Sequence, residues 1–257
     1  MGVVNVTPDS FSDGGLYLDP GAAIEHGREL AADGAAILDV GGESSRPGAA
    51  PVAIDEELRR VVPVVEGLRG LEVDISVDTS KAAVAAAALD AGATIVNDVT
   101  ALRGDPEMAA LVADRDAGLV LMHMVGDPRT MQVNPEYDDV VAEVRDFLAE
   151  RLAAAVAAGV EGSRIWLDPG IGFGKTDQHN FELLRGLDRL VALGRPIVVG
   201  TSRKSFIGRA DGSEIDERLG GTIATSILAA AAGAAVLRLH DVREMAEALM
   251  VATAVLG

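Results

Sequence analysis

One unit recurs along the chain and constrains the fold more than any other feature of the sequence. An alanine-rich helical stretch ends at a glycine, a short apolar run follows, and the run stops at a polar residue, as at Gly92, residues 93–96 and Asn97. Glycine just past a helix is the common left-handed cap. Short apolar runs without alternation are typical of strands buried on both faces of a parallel sheet. Each repeat therefore predicts a helix followed by a buried strand.

This unit occurs eight times, which is the number of strand–helix units in a closed (β/α)8 barrel. Apolar runs predict strands at residues 2–6, 35–40, 73–77, 93–96, 119–122, 164–167, 196–199 and 234–237. Helical stretches follow them at about residues 20–32, 54–69, 80–90, 105–116, 137–158, 178–193, 215–232 and 242–255. Eight such units predict an α/β fold, a single (β/α)8 TIM barrel whose one domain covers residues 1–257. An open doubly wound sheet is the alternative, but no linker divides the chain and no G-x-G-x-x-G motif follows the first strand.

Charge and cysteine content exclude several classes of function. Acidic residues outnumber basic ones by 40 to 22, and a net charge of −18 argues against a surface that binds nucleic acid or an anionic membrane. The chain has no cysteine, which excludes disulfides, thiolate metal sites and cysteine nucleophiles. No charged segment precedes an apolar run near residue 1, so no signal peptide is expected. We therefore expect a cytoplasmic protein that binds neither nucleic acid nor membrane.

The barrel predicts that polar side chains far apart in sequence meet at one mouth, because the carboxyl ends of all eight strands open there. The polar residues at those predicted ends are Asn5, Asp39, Asp78, Asn97, His123, Asp168, Ser202, Arg203, Lys204, Arg238 and His240. Asp78, Asn97 and Asp168 could together form hydrogen bonds with the amino-amidine edge of a heterocyclic ligand, since a carboxylate accepts two parallel N–H hydrogen bonds. Any one of the aspartates could instead be a helix N-cap.

Basic residues at the same mouth predict an anion site. A protein with this net charge repels anions at long range, so such a site must be made positive locally. The candidates are Arg46, Arg203, Lys204, Arg238 and His240. Arg203 and Lys204 could instead begin a solvated helix. Acids and cations around one rim indicate a site for a flat heterocycle at one end and an anion at the other.

Two long loops follow the first two predicted strands. Residues 7–18 and 41–51 are rich in glycine, proline and serine, and loops of this length in compact domains usually bind or cover a ligand. Phe11 and Pro47 are the side chains that we expect to close over a second substrate. A flexible surface loop is the alternative.

Seven motifs, in order along the chain, are similar to those of the dihydropteroate synthases. They are NVTPDSFSDGG at residues 5–15, GGESSRPG at 41–48, SVDT at 76–79, ND at 97–98, DPGIGFGK at 168–175, SRKS at 202–205 and RLH at 238–240. The first two motifs together are highly specific. Ser45 departs from the threonine that many relatives carry, but it keeps the hydroxyl group.

The resemblance implies a homodimeric barrel that joins 6-hydroxymethyl-7,8-dihydropterin diphosphate to p-aminobenzoate, releases pyrophosphate, and binds sulfonamides as competing ligands. The residues implied to hold the pterin are Asp78, Asn97, Asp168 and Lys204, with Asp78, Asp168 and Lys204 as the catalytic set. Asn5 is implied to bind Mg²⁺ on the diphosphate. The residues implied at the diphosphate-bearing end are Ser45, Arg238 and His240, beside the candidate cation Arg46. Those implied to border the aminobenzoate are Phe11, Pro47, Phe173 and Ser205.

This chemistry needs positioning and electrostatics rather than a covalent nucleophile, and the sequence has no convincing Ser-His-Asp arrangement. Three other functions stay open on the sequence alone. Lys204 could form a Schiff base in a barrel aldolase. The chain could be a pterin-binding module that presents a methyl donor to a corrinoid partner. It could also be a homologue that binds pterin without catalysis.

Overall fold

The strands of the barrel follow the predicted order. The computed structural model describes residues 1–7, 19–46, 48–126 and 129–256. Its strands are β1 (Gly2–Asn5), β2 (Ile37–Gly41), β3 (Asp74–Asp78), β4 (Ile95–Asp98), β5 (Gly118–Met122), β6 (Ile165–Asp168), β7 (Val198–Val199) and β8 (Val236–Leu237). Each of them overlaps one predicted apolar run.

The helices lie between these strands. They are α1 (Pro20–Ala32), α2 (Ile54–Leu68), α3 (Ala82–Ala91), α4 (Met108–Asp114), α5 (Val140–Ala157), α6 (Asp177–Arg185), α7 (Leu187–Val191), α8 (Ser205–Asp211), α9 (Leu219–Ala231) and α10 (Val242–Leu256). Two short 3-10 turns, Gly162–Arg164 and Ile215–Glu217, precede β6 and α9. Within the described ranges, no helix has both the length and the apolar character that crossing a lipid bilayer requires.

The strands close into a ring. Strands β1 to β6 pair in parallel in sequence order, and β7 pairs with β8. Parallel bridges from Leu167 to Ile197 and from Gly2 to Leu239 join the two groups, so the last strand returns to the first. An open doubly wound sheet would leave two free edges, and the closed ring therefore confirms the (β/α)8 barrel.

The interior of the barrel is apolar toward the amino ends of the strands and polar toward their carboxyl ends. The buried side chains of Ile37, Ile95, Val120 and Val198 form a hydrophobic cluster that is separate from the main core. Side chains two residues apart on a strand point to the same face, so Asp39 follows Ile37 and Asn97 follows Ile95 on the inner face. The inner faces of β2 and β4 therefore change from apolar to polar toward the carboxyl ends, where a site can open.

Three helix predictions were wrong in detail. The single helix predicted at 178–193 is two helices, because α6 ends at Gly186 and α7 begins directly after it. Helix α8 was not among the predicted helices, and only the alternative of a helix start at Arg203 and Lys204 pointed to it. It has Lys204 at its N-cap position, is only seven residues long and ends at Gly212 in the left-handed conformation. The helix predicted from residue 215 starts as a 3-10 turn, and α9 begins at Leu219. Short helices bury little surface of their own and carry a weak periodic signal.

Candidate active site

A cavity of about 870 Å³ opens at the carboxyl ends of the strands. Eleven of the predicted site residues within the described ranges line it: Asn5, Ser45, Arg46, Asp78, Asn97, Asp168, Phe173, Lys204, Ser205, Arg238 and His240. Of the other polar strand ends predicted at the mouth, Ser202 and Arg203 also line the cavity, but Asp39 and His123 do not. The other two predicted site residues, Phe11 and Pro47, lie outside the described residues. The carboxylates of Asp78 and Asp168, 90 positions apart in the sequence, thus face one cavity.

Strand order divides the cavity into two sides. Asp78 ends β3 and stands opposite Asn97 of β4 in the parallel ladder, and Asp168 ends β6. Arg238 directly follows β8, which adjoins β1 across the barrel closure, and Asn5 ends β1. The acidic and amide side chains therefore lie on the β3–β6 side, and Arg238 lies with Asn5 on the β8–β1 side.

The two aspartates are not helix caps. Helix α3 follows Asp78 but has Lys81 at its N-cap position, with no side-chain cap hydrogen bond. Oδ1 of Asp168 accepts a hydrogen bond at 2.7 Å from the backbone N–H of Gly170, within the loop that follows β6. The capping alternative for these two residues is therefore excluded.

Arg238 links two buried carboxylates. Its Nε donates to Oδ2 of Asp39 at 2.6 Å, and its Nη2 donates to Oδ2 of Asp78 at 3.0 Å. Nδ2 of Asn97 donates to the same Oδ2 of Asp39 at 3.1 Å. One network of charge-assisted hydrogen bonds thus joins the acidic side of the cavity to its basic side.

Burial shifts the protonation of the groups around the cavity. Burial raises the pKa of Asp78 to about 8; the Asp39 carboxylate adds to this and the Arg238 guanidinium opposes it. Burial also raises the pKa of Asp168, against the opposing ammonium of Lys204. The pKa of Lys204 falls to about 8 because burial outweighs its attraction to Asp168. Perturbed groups of this kind, gathered in one cavity, are typical of an active site.

Lys204 holds the loop after β6 against the cavity. Its Nζ donates to the backbone carbonyl of Ile171 and lies 4.7 Å from the ring centre of Phe173. A cation over an aromatic face is attracted by the ring quadrupole. This contact places Phe173 and Lys204 next to each other on the cavity wall.

Comparison with known proteins decides the family. The family model described as pterin binding enzyme matches residues 1–240. The chain is 51% identical over 259 residues to the dihydropteroate synthase of Mycobacterium leprae, covering 98% of this chain and 91% of that one. The chain belongs to the dihydropteroate synthases. It also spans about 30% of a longer Haloferax volcanii protein named as a probable bifunctional folylpolyglutamate synthase/dihydropteroate synthase, and is 49% identical to it.

Solved structures of dihydropteroate synthases show the same fold. The Yersinia pestis enzyme in a sulfonamide drug complex superposes with a TM-score of 0.96 at 43% identity, covering 99% of this chain and 93% of that one. The Xanthomonas albilineans enzyme with 4-aminobenzoic acid gives 0.94 at 50% identity, covering 100% and 92%. Relatives that carry the synthase name favour this activity over the aldolase, the corrinoid-linked module and the non-catalytic homologue.

The surroundings of His240 disfavour the positive charge that the sequence suggested for it. Its Nδ1 lies 2.9 Å from the hydroxyl oxygen of Ser202. Burial lowers its pKa to about 3, and the guanidinium groups of Arg238 and Arg203 add to this effect. The ring is therefore neutral near pH 7 and adds no positive charge to the anion site. Arg203 lines the cavity too, but its Nε donates to Asp241 at 3.0 Å.

Some residues of the synthase cavity were not predicted as site residues. Lys175 is buried in the cavity wall, and its Nζ lies 2.9 Å from Nδ1 of His123 and 3.0 Å from the carbonyl oxygen of Phe173. Burial holds the pKa of Lys175 well below its usual range. Gln132 follows β5 and donates to the carbonyl of Gly172 at 2.6 Å. Lys175 is the last residue of the DPGIGFGK motif, and this motif was the only feature of the sequence that indicated a role for it. No feature of the sequence around Gln132 indicated that this residue would line the cavity.

A partly buried ion pair holds the loop after β2. Oε2 of Glu43 accepts from Nζ of Lys81 at 2.6 Å and from the backbone N–H of Val52 at 2.7 Å. Lys81 also pairs with Glu57, whose side chain is 1% exposed and accepts from the Thr79 hydroxyl at 2.6 Å. These contacts secure both ends of the segment that carries Ser45 and Arg46.

The described residues contain no group of three or more histidine or acidic side chains able to hold a metal ion. Asn5, whose side-chain amide contains an oxygen, nevertheless lines the cavity on the same side as Arg238. Mg²⁺ commonly uses one or two protein ligands and takes the rest from water and substrate phosphates. The side chains present therefore fit a Mg²⁺ that arrives with a diphosphate, and do not form a cage that would hold the ion alone.

Proposed function

We propose that this cavity joins 6-hydroxymethyl-7,8-dihydropterin diphosphate to p-aminobenzoate and releases 7,8-dihydropteroate and pyrophosphate. The observation that carries the proposal is that Asp78 and Asp168 share one cavity with Arg238, whose guanidinium donates to Asp78. A bicyclic ring rich in N–H donors matches the acidic side, and a diphosphate matches the basic side.

The pterin end uses the β3–β6 side. Asp78 and Asp168 accept hydrogen bonds from the N–H groups of the ring, and the amide of Asn97 reads the edge between them. Lys204 donates a hydrogen bond to an acceptor atom of the ring. Its position above Phe173 places it suitably for this hydrogen bond. Burial makes these hydrogen bonds strong, since few waters compete for the same groups.

The reaction exchanges one bond for another at the methylene carbon next to the ring. The carbon–oxygen bond breaks, and its electron pair leaves with the diphosphate. The electron-rich ring, held in place by Asp78, Asn97 and Asp168, stabilises the positive charge that develops on the carbon. The lone pair of the arylamine then forms the carbon–nitrogen bond, and the amine proton passes to solvent. Orientation of the two reactants supplies most of the rate enhancement.

The diphosphate end uses Arg238 with Arg46, Ser45 and His240. The guanidinium groups supply positive charge, while the Ser45 hydroxyl and the neutral His240 ring supply hydrogen bonds. Asn5 is the side chain proposed to hold Mg²⁺. The ion, when bound, would neutralise charge on the departing diphosphate.

The aminobenzoate end is proposed to lie by Phe173 and Ser205, which line the cavity. Phe11 and Pro47 are proposed to border the same end. The sulfonamide complex of the Yersinia pestis enzyme and the 4-aminobenzoic acid complex of the Xanthomonas albilineans enzyme support an aminobenzoate as the second substrate. We expect sulfamethoxazole to inhibit turnover in competition with p-aminobenzoate, and normal turnover at high sulfamethoxazole would refute this.

A homodimer, a single domain over residues 1–257 and a cytoplasmic location complete the proposal. An apolar surface on the last two helices supports the dimer, since large exposed apolar patches commonly mark interfaces. Its exposed side chains are Leu228, Met250, Val251, Val255 and Leu256. Sedimentation equilibrium should give twice the chain mass of 26.5 kDa. A monomer at micromolar concentration would contradict the dimer.

A coupled pyrophosphate assay tests the activity directly. Pyrophosphate should appear only when dihydropterin diphosphate, p-aminobenzoate and Mg²⁺ are all present. Release that does not depend on p-aminobenzoate would indicate hydrolysis and refute the condensation. Borohydride treatment with a carbonyl substrate should trap no adduct on Lys204, and trapping there would favour the aldolase instead.

A further inference from the structure

Asp39 is a buried carboxylate that the proposed mechanism does not use. It lies in the middle of β2, is 0% exposed, and stands opposite Ser76 of β3 in the ladder. Its Oδ2 accepts from both Arg238 and Asn97, two residues that line the cavity. Asp39 therefore touches the site only through the side chains of other residues.

The other oxygen of this carboxylate has no partner. In the described part of the chain, Oδ1 of Asp39 and Oγ of Ser76 are the buried side-chain polar atoms without a hydrogen bond. An unsatisfied polar atom in a protein interior costs free energy, and buried ion pairs are poor sources of stability. Stability therefore gives no reason for an aspartate here, whereas its contacts with Arg238 and Asn97 give a functional one.

We infer that Asp39 is a positioning residue that fixes the orientation of the Asn97 amide and thereby sets which ring edge the cavity accepts. A carboxylate paired with a guanidinium accepts hydrogen bonds and does not donate them. The amide group of Asn97 must therefore turn its nitrogen, and not its oxygen, toward Asp39. This inference rests on the proposed function, because it assumes that Asn97 faces the pterin.

A fixed amide presents its two remaining groups in one order. One N–H of Asn97 is used by Asp39, which leaves the other N–H and the oxygen for a ligand. A pterin edge offers an amino N–H beside a ring nitrogen that accepts, and this pair matches an amide oxygen beside an amide N–H. In the lumazine analogue a carbonyl replaces the amino group and the adjacent ring nitrogen carries a hydrogen, so donor and acceptor are exchanged. An amide that could rotate would accept either edge.

Calorimetric binding of 6-hydroxymethylpterin and 6-hydroxymethyllumazine tests the inference. Neither ligand carries a diphosphate, so changes confined to the anion end affect both ligands alike and cancel in the ratio of their dissociation constants. Changes that Arg238 passes on to Asp78 are measured separately in the Asn97→Ala background below. We expect the preference for the pterin to fall by roughly tenfold in Asp39→Ala, the usual size of discrimination by a bidentate amide. Ser76→Ala is the matched control, since it removes a buried polar group from the adjacent ladder position, and it should keep the wild-type preference.

A double-variant cycle separates positioning from general damage. In the Asn97→Ala background, Asp39→Ala should leave the pterin-to-lumazine ratio unchanged, because no amide remains to be oriented. An equal loss of preference with and without Asn97 would overturn the inference, and so would an unchanged ratio in Asp39→Ala. If the wild-type protein binds neither ligand, the proposed function itself fails.

Nuclear magnetic resonance supplies a readout that does not depend on the folding of Asp39→Ala. The side-chain amide protons of Asn97 are assigned by their loss in Asn97→Ala. In the ligand-free wild type, the proton donated to Asp39 should exchange with water much more slowly than the other proton of the same amide. Equally fast exchange of both protons would show that Asp39 does not hold the amide and would overturn the inference.

Discussion

The guanidinium of Arg238 donates to the carboxylate of Asp78 at 3.0 Å, across 160 positions of the sequence. The two residues belong to the two sides of the cavity, one basic and one acidic. Because they share a hydrogen bond in a buried site, a change at one side alters the electrostatics of the other. The proposed pterin and diphosphate subsites are therefore electrostatically coupled.

Asp78 should make stability depend on pH. Burial, with Asp39, raises its pKa from 3.8 to about 8. The folded chain thus binds this proton more tightly than the unfolded chain, so the stabilisation is complete below about pH 4 and is lost as pH rises toward 8. Asp78→Asn cannot ionise, and its Tm relative to wild type should rise by about a few degrees between pH 5 and pH 9.

Differential scanning calorimetry at the two pH values measures this difference. Ser76→Ala removes a buried hydroxyl without a titrating carboxyl, and its Tm difference from wild type should be the same at both. A Tm difference for Asp78→Asn that stays constant, or falls, from pH 5 to pH 9 would show that Asp78 does not carry the raised pKa.

Asp168 and Lys204 should both be needed for turnover. Each is a buried charged group in the cavity, and removing it leaves a substrate polar group without its charge-assisted partner. We expect Asp168→Ala and Lys204→Ala each to lower kcat/KM by more than about tenfold in the pyrophosphate assay. Arg243→Ala, which removes an exposed charge paired with Asp33, is the control and should keep wild-type turnover. Near-normal turnover in either test variant would remove that residue from the pterin site.

Lys81 should stabilise the fold by compensating a buried carboxylate. Lys81→Met leaves Glu57 unpaired, and breaking a buried pair in this way costs on the order of 3 kcal/mol. Urea unfolding should show that loss, and Lys81→Met combined with Glu57→Gln should recover part of it. Arg151→Met, which breaks an ion pair with a Glu150 side chain that is 72% exposed, should cost about 1 kcal/mol or less. Equal losses in Lys81→Met and Arg151→Met would contradict the role given to Lys81.

Gly170 should not tolerate a side chain. Its φ is +65°, and a Cβ there would run into the backbone carbonyl oxygen of His123. Gly194 has a φ of +71° but open space around it, so Gly194→Ala suffers the conformational strain alone. We expect Gly194→Ala to cost about 1 kcal/mol and Gly170→Ala to cost clearly more and to reduce turnover, because the loop carrying Phe173 must shift. Similar unfolding free energies and kcat/KM values in both variants would contradict the clash.

Much of the barrel and of the cavity could be predicted, because both follow from local pattern and fold geometry. Apolar runs bounded by glycine and a polar residue located all eight strands. Since parallel strands in a barrel end at one mouth, Asp78, Asn97 and Asp168 could be placed together without coordinates. Helix α8 and the break at Gly186 were not predicted, because short helices give little periodicity over a window of several turns.

Roles that depend on burial or on contacts between side chains could not be predicted. His240 looked like a cation, but burial beside Arg238 keeps it neutral. Asp39 looked like one more polar strand end, and its position under Asn97 became visible only in the structure. Lys175 was part of a motif, yet its contact with His123 joins residues 52 positions apart.

The order of the strands, the polar residue at each strand end and the family itself could all be established from the amino-acid sequence, because each is recorded in neighbouring residues. The protonation states and the pairing of Arg238 with Asp39 and Asp78 were decided only by the tertiary structure. The physical reason is that solvent exclusion and hydrogen-bond geometry arise when distant segments pack together, and no local stretch of chain carries that information.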